Sequence, residues 1–262
     1  MLTLRVLKIG GNELDRPDWV AACARAVAAG PGPSVVVHGG GRAVTDLSRR
    51  LALPVEKRDG LRVTTAQVAE VVEMVLSGPV NRLLVTALRA AGLDAIGLSG
   101  ADGGLLSATQ ISGGLGYVGE ITRVRTALIE SLILAGFTPV IAPVSPDPAG
   151  SPVALNVNAD SAAAVVAAAL RATELLFVSD VPGVLVGGAA QASVTAADIE
   201  RLIADGTAAD GMAAKLRAAA RALGGGAQAV RVGDLRMLTD PAAGTRIVAL
   251  PPAGSSVLAR SA

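Results

Sequence analysis

Apolar and polar positions alternate along Leu2–Ile9 as in a strand, and Asp18–Ala28 changes to the spacing of a helix. Ser34–His38 is a continuous apolar strand running into Gly39-Gly40-Gly41, and a helix follows from about Arg42 to Leu51. Helices are predicted at about Thr65–Leu76 and Val80–Ala91, then a buried strand at Asp94–Leu98. The glycine-rich stretch from Gly100 to Gly119 reads as hairpins covering something. Helix Arg125–Ala135, strand Thr138–Ala142, a proline-rich turn at Pro143–Pro152 and helix Asp160–Ala172 complete a first half. The second half keeps the rhythm, with strand Glu174–Ser179, helices Ala196–Ala204 and Met212–Leu223, strand Ala229–Val232 and a closing strand at Thr245–Ala249. Strands alternating with helices predict an α/β fold: a three-layer αβα sandwich with a mostly parallel central sheet running through two lobes, 1–172 and 173–262.

Composition narrows the function. With 262 residues, 51% of them hydrophobic, the chain can bury a sizeable core. A net charge of +1 and the lack of a basic stripe argue against nucleic acid and anionic membrane as partners, and favour small molecules. No stretch is expected to span a bilayer, since the apolar segment Ser161–Leu170 is too short. The amino terminus opens directly into a strand pattern with no leader, and the single cysteine, Cys23, excludes an internal disulfide framework; both predict a cytoplasmic place. Cys23 falls on a predicted helix and reads as a small core residue.

One histidine, His38, cannot build a two-histidine zinc site, and no metal-ligating residues are expected. GLSGA around Ser99 falls one residue short of a nucleophile elbow, and His38 precedes it, opposite to the required order. Neither a Walker loop nor a GxGxxG turn is present. At the end of a buried strand, His38 reads as a hydrogen-bonded structural residue.

The chemistry that remains is anion handling. Only three lysines stand against twenty arginines, and two of them, Lys8 and Lys215, lie beside glycine turns. A lysine kept where arginine fills the ordinary basic positions suits a site wanting a compact charge for phosphate. Gly10-Gly11 and Gly39-Gly40-Gly41 each follow a strand and precede a helix, where backbone N–H groups and a helix amino end cradle anions. In LNVNADSAAA, Asn156 and Asn158 are two apart, so both face one side of extended backbone. Asp160, at the start of the next helix, either caps that helix or holds the lysine ammonium groups by charge-assisted hydrogen bonds. Lys215 is predicted in the first turn of its helix, where its charge and the helix dipole reinforce each other. Arg62, after the turn at Asp59-Gly60, is a natural carboxylate fork, and by itself an ordinary exposed arginine. Lys57 shows no special feature and is expected to be replaceable by arginine.

Taken in order, LKIGG, VVVHGGG, LPVEKRDGLRVT, LNVNAD, SDVPGVL, DGMAAK and AGTRIV resemble the signature segments of the amino acid kinase family, over nearly the whole chain. LKIGG and DGM-x-x-K occur across that family, whereas GLRVT together with NVNAD is more specific to its acetylglutamate-phosphorylating branch. The resemblance implies transfer of the γ-phosphoryl group of ATP to the side-chain carboxylate of N-acetyl-L-glutamate, with Mg2+ held mainly by the nucleotide. Lys8 and Lys215 match the lysines that stabilise the transferring phosphoryl group, and Asp160 the aspartate that organises them. Gly11, Gly40 and Gly41 match glycines that hold phosphate and acyl substrate; Arg62 and Asn156, with Asn158 close by, match residues that hold the acetylamino acid. Asp180, Val181, Pro182, Gly183, Val184 and Leu185, with Thr207, Ala208 and Ala209, match the nucleotide pocket of the second lobe, while the first lobe would bind the acyl substrate and dimerise. A homodimer insensitive to arginine is implied, because the strand carrying Lys8 begins within the first few residues. Alternatives within the resemblance are a kinase for an aminoadipate derivative, a uridylate kinase and a non-catalytic amino-acid sensor. GLRVT and NVNAD argue against the first; Arg62 and Asn156, which suit a small carboxylate, argue against the second; the set Lys8, Asp160 and Lys215 argues against the third.

Overall fold

A computed structural model describes residues 3–11, 13–58, 60–147 and 150–249. Leu2 of the first predicted strand, Asp59 of the predicted turn, part of the proline-rich turn and the end of the second lobe lie outside the described residues.

Strand β1 (Arg5–Ile9) is buried along its whole length, as expected of a strand covered on both faces. Helix α1 (Pro17–Ala29) returns the chain to β2 (Ser34–His38), and α2 (Gly41–Arg50) starts directly on the glycine run. A short hairpin, β3 (Lys57–Arg58) and β4 (Leu61–Arg62), precedes α3 (Ala66–Val75), a π-turn at Leu76–Val80 and α4 (Asn81–Ala90). From Ala66 to Ala90 the helix is 25 residues long and, by length and composition alone, apolar enough to cross a membrane. The sequence concealed this run because Gly78-Pro79 divides it, and Gly78 leaves helical geometry there (φ −96°, ψ −111°). In the fold its apolar side is core: Val68, Val71, Val72, Leu84 and Leu88 are all buried.

β5 (Ala95–Ser99) leads to the hairpin β6 (Leu106–Gln110) and β7 (Val118–Val124), which the glycine-rich stretch predicted. Then come α5 (Thr126–Leu134), β8 (Thr138–Ala142), the short β9 (Val144–Ser145) and β10 (Leu155–Val157), and α6 (Ala159–Ala169). The chain continues through β11 (Glu174–Val178), a small pair β12 (Leu185–Val186) and β13 (Ala189–Ala190), β14 (Ser193–Thr195) and α7 (Ala196–Ala204). It closes with α8 (Asp210–Gly224), β15 (Val230–Gly233) and β16 (Thr245–Val248).

Eight strands form the central sheet in the order β14-β16-β15-β11-β1-β2-β8-β5. Every neighbouring pair is parallel except β15 with β16, so the mostly parallel sheet predicted from the rhythm is present. β14 was not predicted, because three residues are too short to display a period. β6, β7, β10 and β9 make a second, four-stranded sheet. β1 pairs directly with β11, from Arg5 opposite Glu174 to Ile9 opposite Val178, so one sheet passes through the expected boundary at 172 and 173. On one face Val6, Val37 and Phe177 pack with α6 and α8 residues such as Ala163 and Leu216. On the other, Leu7, Ile9 and Leu176 pack with Val20, Val72 and Leu84 of α1, α3 and α4.

At the amino ends of the strands, buried Arg5 donates to the carbonyls of Val27 and Leu238 and to Ser34 Oγ. Arg231 pairs with Glu174 and donates to three carbonyls nearby. These arginines close that rim. The carboxyl rim stays open, and the cavity lies there, as the geometry of open α/β sheets dictates.

Candidate active site

The cavity is about 460 Å³ and is lined by Lys8, Gly10, Gly11, the glycine run 39–41, Arg62, Asn156, Asn158, Asp160, Ser179, Asp180 and Lys215, among others. Three helix amino ends open into it: Gly41 of α2, Ala159 and Asp160 of α6, and Gly211 and Met212 of α8. Such ends bring partial positive charge to one space.

The two glycine turns touch. A Cβ on Gly11 would stand 2.5 Å from Gly40 N and 2.7 Å from Gly40 Cα, so only glycine lets these backbones meet. A Cβ on Gly40 would stand 2.5 Å from Leu76 Cδ2 of the π-turn, which supports the loop from behind. His38 sets the loop's other side. It is fully buried; its Nδ1 lies 2.8 Å from the Gly39 carbonyl, and its Nε2 3.1 Å from Asn81 Nδ2. A carbonyl only accepts and an amide nitrogen only donates, so these partners assign the proton to Nδ1. Burial outweighs the Gly39 contact and pulls the imidazole down to about 4. His38 is therefore the neutral structural residue that its strand position predicted.

Strand alternation turns Lys8 to the same face as Val6, toward α6 and α8. Its Nζ lies 2.9 Å from Asp160 Oδ1, and Lys215 Nζ lies 3.2 Å from the same oxygen. All three side chains are at most 11% exposed. Phe177, beside Lys8 in the sheet register, has its ring centroid 5.5 Å from Lys215 Nζ, a favourable cation–π distance. Burial opposes ionisation of Asp160, but Lys8 and Lys215 together hold its carboxyl below the ordinary value. Burial, aided by the Lys8 charge, pulls the Lys215 ammonium down to about 8.

Asn158 resolves the two roles left open for Asp160. Its Oδ1 accepts from the N–H groups of Asp160 and Ser161, so Asn158 caps α6 and Asp160 is free for the lysines. Lys215 is the sixth residue of α8 and lies in its second turn, not the predicted first, because the helix starts at Asp210.

Arg62 is not the exposed arginine that its sequence context suggested. It is 8% exposed, and one guanidinium nitrogen donates to the Gly41 carbonyl at 2.8 Å and to Thr45 Oγ1 at 2.7 Å. The other terminal nitrogen, Nη1, is buried without a partner. Asn156 lines the same space and donates to Thr64 Oγ1 at 3.1 Å, tying β10 to the segment after the β3–β4 hairpin. Lys57, exposed on that hairpin, also lines the cavity, so all three lysines face one space. Thr45 and Thr64 were not singled out from sequence; nothing local marks a threonine as the partner of an arginine or asparagine far along the chain.

Of the predicted nucleotide residues, Asp180 and Val181 line the cavity, whereas Pro182, Gly183, Val184 and Leu185 run away from it into β12. Gly183 packs against Thr245, and Val184 and Ala208 are core residues at 1% exposure, so neither side chain is available to a ligand. Thr207, Ala208 and Ala209 lead into α8 without lining the cavity. Cys23 is 1% exposed, and burial pushes its thiol up to about 12, in keeping with a core residue.

The arrangement offers two ammonium groups locked on one carboxylate oxygen, a glycine cradle, and a buried guanidinium with an unused donor. This matches phosphate held against a small carboxylate. The amino acid kinase family model matches residues 3–234. The chain belongs to the amino acid kinase family. Among the relatives of this kinase, a protein of Chloroflexus aurantiacus named acetylglutamate kinase is 45% identical over 249 residues, 94% of this chain and 97% of the relative. A Geobacillus kaustophilus acetylglutamate kinase is 48% identical over 221 residues, 83% of this chain and 84% of its own. The crystal structure of smu.665 from Streptococcus mutans, 30% identical, superposes with a TM-score of 0.84 over 95% of this chain and all of its own. Carbamate kinase from Giardia lamblia bound to AMP-PNP, 16% identical, shares the fold with a TM-score of 0.69 over 95% of this chain and 99% of its own.

Proposed function

We propose that this kinase transfers the γ-phosphoryl group of ATP to the side-chain carboxylate of N-acetyl-L-glutamate, giving N-acetyl-L-glutamyl 5-phosphate and ADP. The observation that carries the mechanism is the sharing of Asp160 Oδ1 by Lys8 and Lys215 where three helix amino ends converge.

A carboxylate oxygen attacks the γ-phosphorus as the bond to the β–γ bridging oxygen breaks, and ADP carries that electron pair away. The acceptor is already ionised near pH 7, so no base has to remove a proton. His38, buried and with both ring nitrogens engaged, has no such task to perform. Charge neutralisation and positioning therefore supply the catalysis. Lys8 and Lys215 stabilise the oxygens of the moving group, Asp160 holds both lysines in place, and the Gly11 and Gly40 N–H groups cradle phosphate. Arg62 and Asn156 hold the acyl substrate; Asn158 and Gly41 border it. Asp180 and Val181 border the nucleotide side, with residues 1–172 as the acyl lobe and 173–262 as the nucleotide lobe. Mg2+ would be held mainly by the nucleotide phosphates and water, as this ion prefers, and would supply charge neutralisation to the transferring group.

The proposal includes a cytoplasmic homodimer. Sedimentation gives the mass in solution that tests it. The test of function is ADP release in parallel with N-acetylglutamate, glutamate and N-acetylaminoadipate. Release with the first alone is expected; a preference for the aminoadipate compound overturns the substrate assignment.

A further inference from the structure

Glu13 is 6% exposed, lines the cavity, and its side chain takes no hydrogen bond and no ion pair. A Cβ on Gly10 would stand 2.8 Å from Glu13 Oε2 and 3.6 Å from the Val178 carbonyl, so the carboxylate sits at the carboxyl ends of β1 and β11, next to Ser179 and Asp180. Of the cations lining the cavity, Lys8 and Lys215 pair with Asp160, Arg62 is tied to Gly41 and Thr45, and Lys57 is exposed; none of them pairs with Glu13. Its carboxylate faces the cavity with neither a donor nor a paired cation, so a ligand's charge can complete it.

Its position sharpens the problem. Glu13 stands at the edge of a cradle of glycine N–H groups, helix amino ends and ammonium groups, all suited to phosphate. A bare polyphosphate there meets a second anion within a few ångströms, and at such range the repulsion changes affinity by about tenfold or more. A hard divalent cation removes the conflict, because carboxylate and phosphate oxygens are both its preferred ligands.

Resting on the reading that this cavity binds ATP, we propose that Glu13 selects the metal-loaded nucleotide, its carboxylate joining the phosphate oxygens around the divalent cation. Glu13 thereby attracts the nucleotide with its cation and disfavours the nucleotide without it. Asp180, at the same rim and exposed, adds to this field.

The test is equilibrium binding of AMP-PNP to the full chain by calorimetry, with excess Mg2+ and with EDTA, for the parental enzyme and Glu13→Gln. Glu13→Gln is expected to weaken the Mg2+ form about tenfold and to leave the metal-free form unchanged or tighter, so the preference for metal collapses. Mn2+ with AMP-PNP, read by electron paramagnetic resonance, is expected to be held about tenfold less tightly by the variant than by the parental enzyme. An equal loss in both forms makes Glu13 a nucleotide contact of another kind and overturns the proposal, as does an unchanged ratio. Should Glu13→Gln fail to fold, Glu13→Asp, which keeps the charge and withdraws it by one methylene, is expected to weaken the preference partway, and a parental ratio overturns it. Absence of AMP-PNP binding by the parental enzyme with or without metal overturns the ATP reading itself.

Discussion

Lys8 and Lys215 meet at one carboxylate oxygen, 2.9 and 3.2 Å from Asp160 Oδ1, although one lies in the first strand and the other in the second turn of α8. Two ammonium groups this close repel, and the shared carboxylate makes the arrangement stable before any phosphate arrives. Lys8→Ala and Lys215→Ala are each expected to lower turnover on the order of a hundredfold or more, as loss of a preorganised electrostatic donor does. Asp160→Asn leaves two buried ammonium groups without a counter-charge and is expected to cost about 3–5 kcal/mol in urea unfolding as well as activity. Parental turnover in either lysine variant would sink the mechanism.

Lys215 gives the reaction an alkaline limit. Its ammonium is pulled down to about 8, so raising the pH through that value removes a charge from the unliganded site. The expected outcome is a fall in kcat/KM above about pH 8, since that ratio reports the free enzyme. Bound phosphate favours the charged form, so the limb in kcat itself should lie higher. A kcat/KM profile that stays flat through pH 9.5 contradicts this assignment.

Arg62 has one terminal nitrogen tied to Gly41 and Thr45 and the other buried without a partner, so the guanidinium keeps donor capacity for a carboxylate. Arg62→Lys keeps the charge but loses the fork. A charge-assisted hydrogen bond is worth roughly 1.5–3 kcal/mol, so KM for N-acetylglutamate is expected to rise about ten- to hundredfold while KM for ATP stays near its parental value. Equal movement of both constants would show general damage instead.

The glycines are not equivalent. Gly11→Ala drives a methyl group into the Gly40 backbone at 2.5 Å, whereas a Cβ on Gly39 meets nothing closer than Gly11 N at 3.5 Å. Gly11→Ala should therefore remove most activity and AMP-PNP binding, and Gly39→Ala should retain both within a few-fold. Similar losses in the two variants would mean that close approach of the turns is not what the site requires.

His38 gives the fold an acid sensitivity. Its pKa is near 4 in the folded protein and about 6.5 in an unfolded chain, so between these values the unfolded state binds the extra proton. The stabilisation is complete above about pH 6.5 and is lost as the pH falls toward 4; at about 1.4 kcal/mol per unit it amounts to about 3 kcal/mol. Urea unfolding at pH 7 and pH 4.5 should show this loss in the parental protein and a smaller one in His38→Asn. An identical pH dependence in both would assign the loss to carboxylates.

Much of this was legible in the sequence because it is local. The rhythm of apolar runs predicted seven of the eight strands of the central sheet, and the glycine runs after β1 and β2 marked the carboxyl rim. Lys8 and Lys215 stood out by the scarcity of their residue type. Misreadings arose where meaning depends on a distant partner. Arg62 looks like any exposed arginine until α2 covers it. The two roles of Asp160 could not be separated before Asn158 was seen to cap α6.

By itself, the sequence determined the α/β class, the positions of the anion-binding turns and the identity of the charged pair, since propensity, periodicity and residue type act over a few residues. Only the tertiary structure decided that both lysines share one oxygen, that Arg62 keeps a free donor and that Glu13 lacks a counter-charge. Each of these depends on burial and on distances between segments far apart in the chain, and burial is what makes a missing or shared charge consequential.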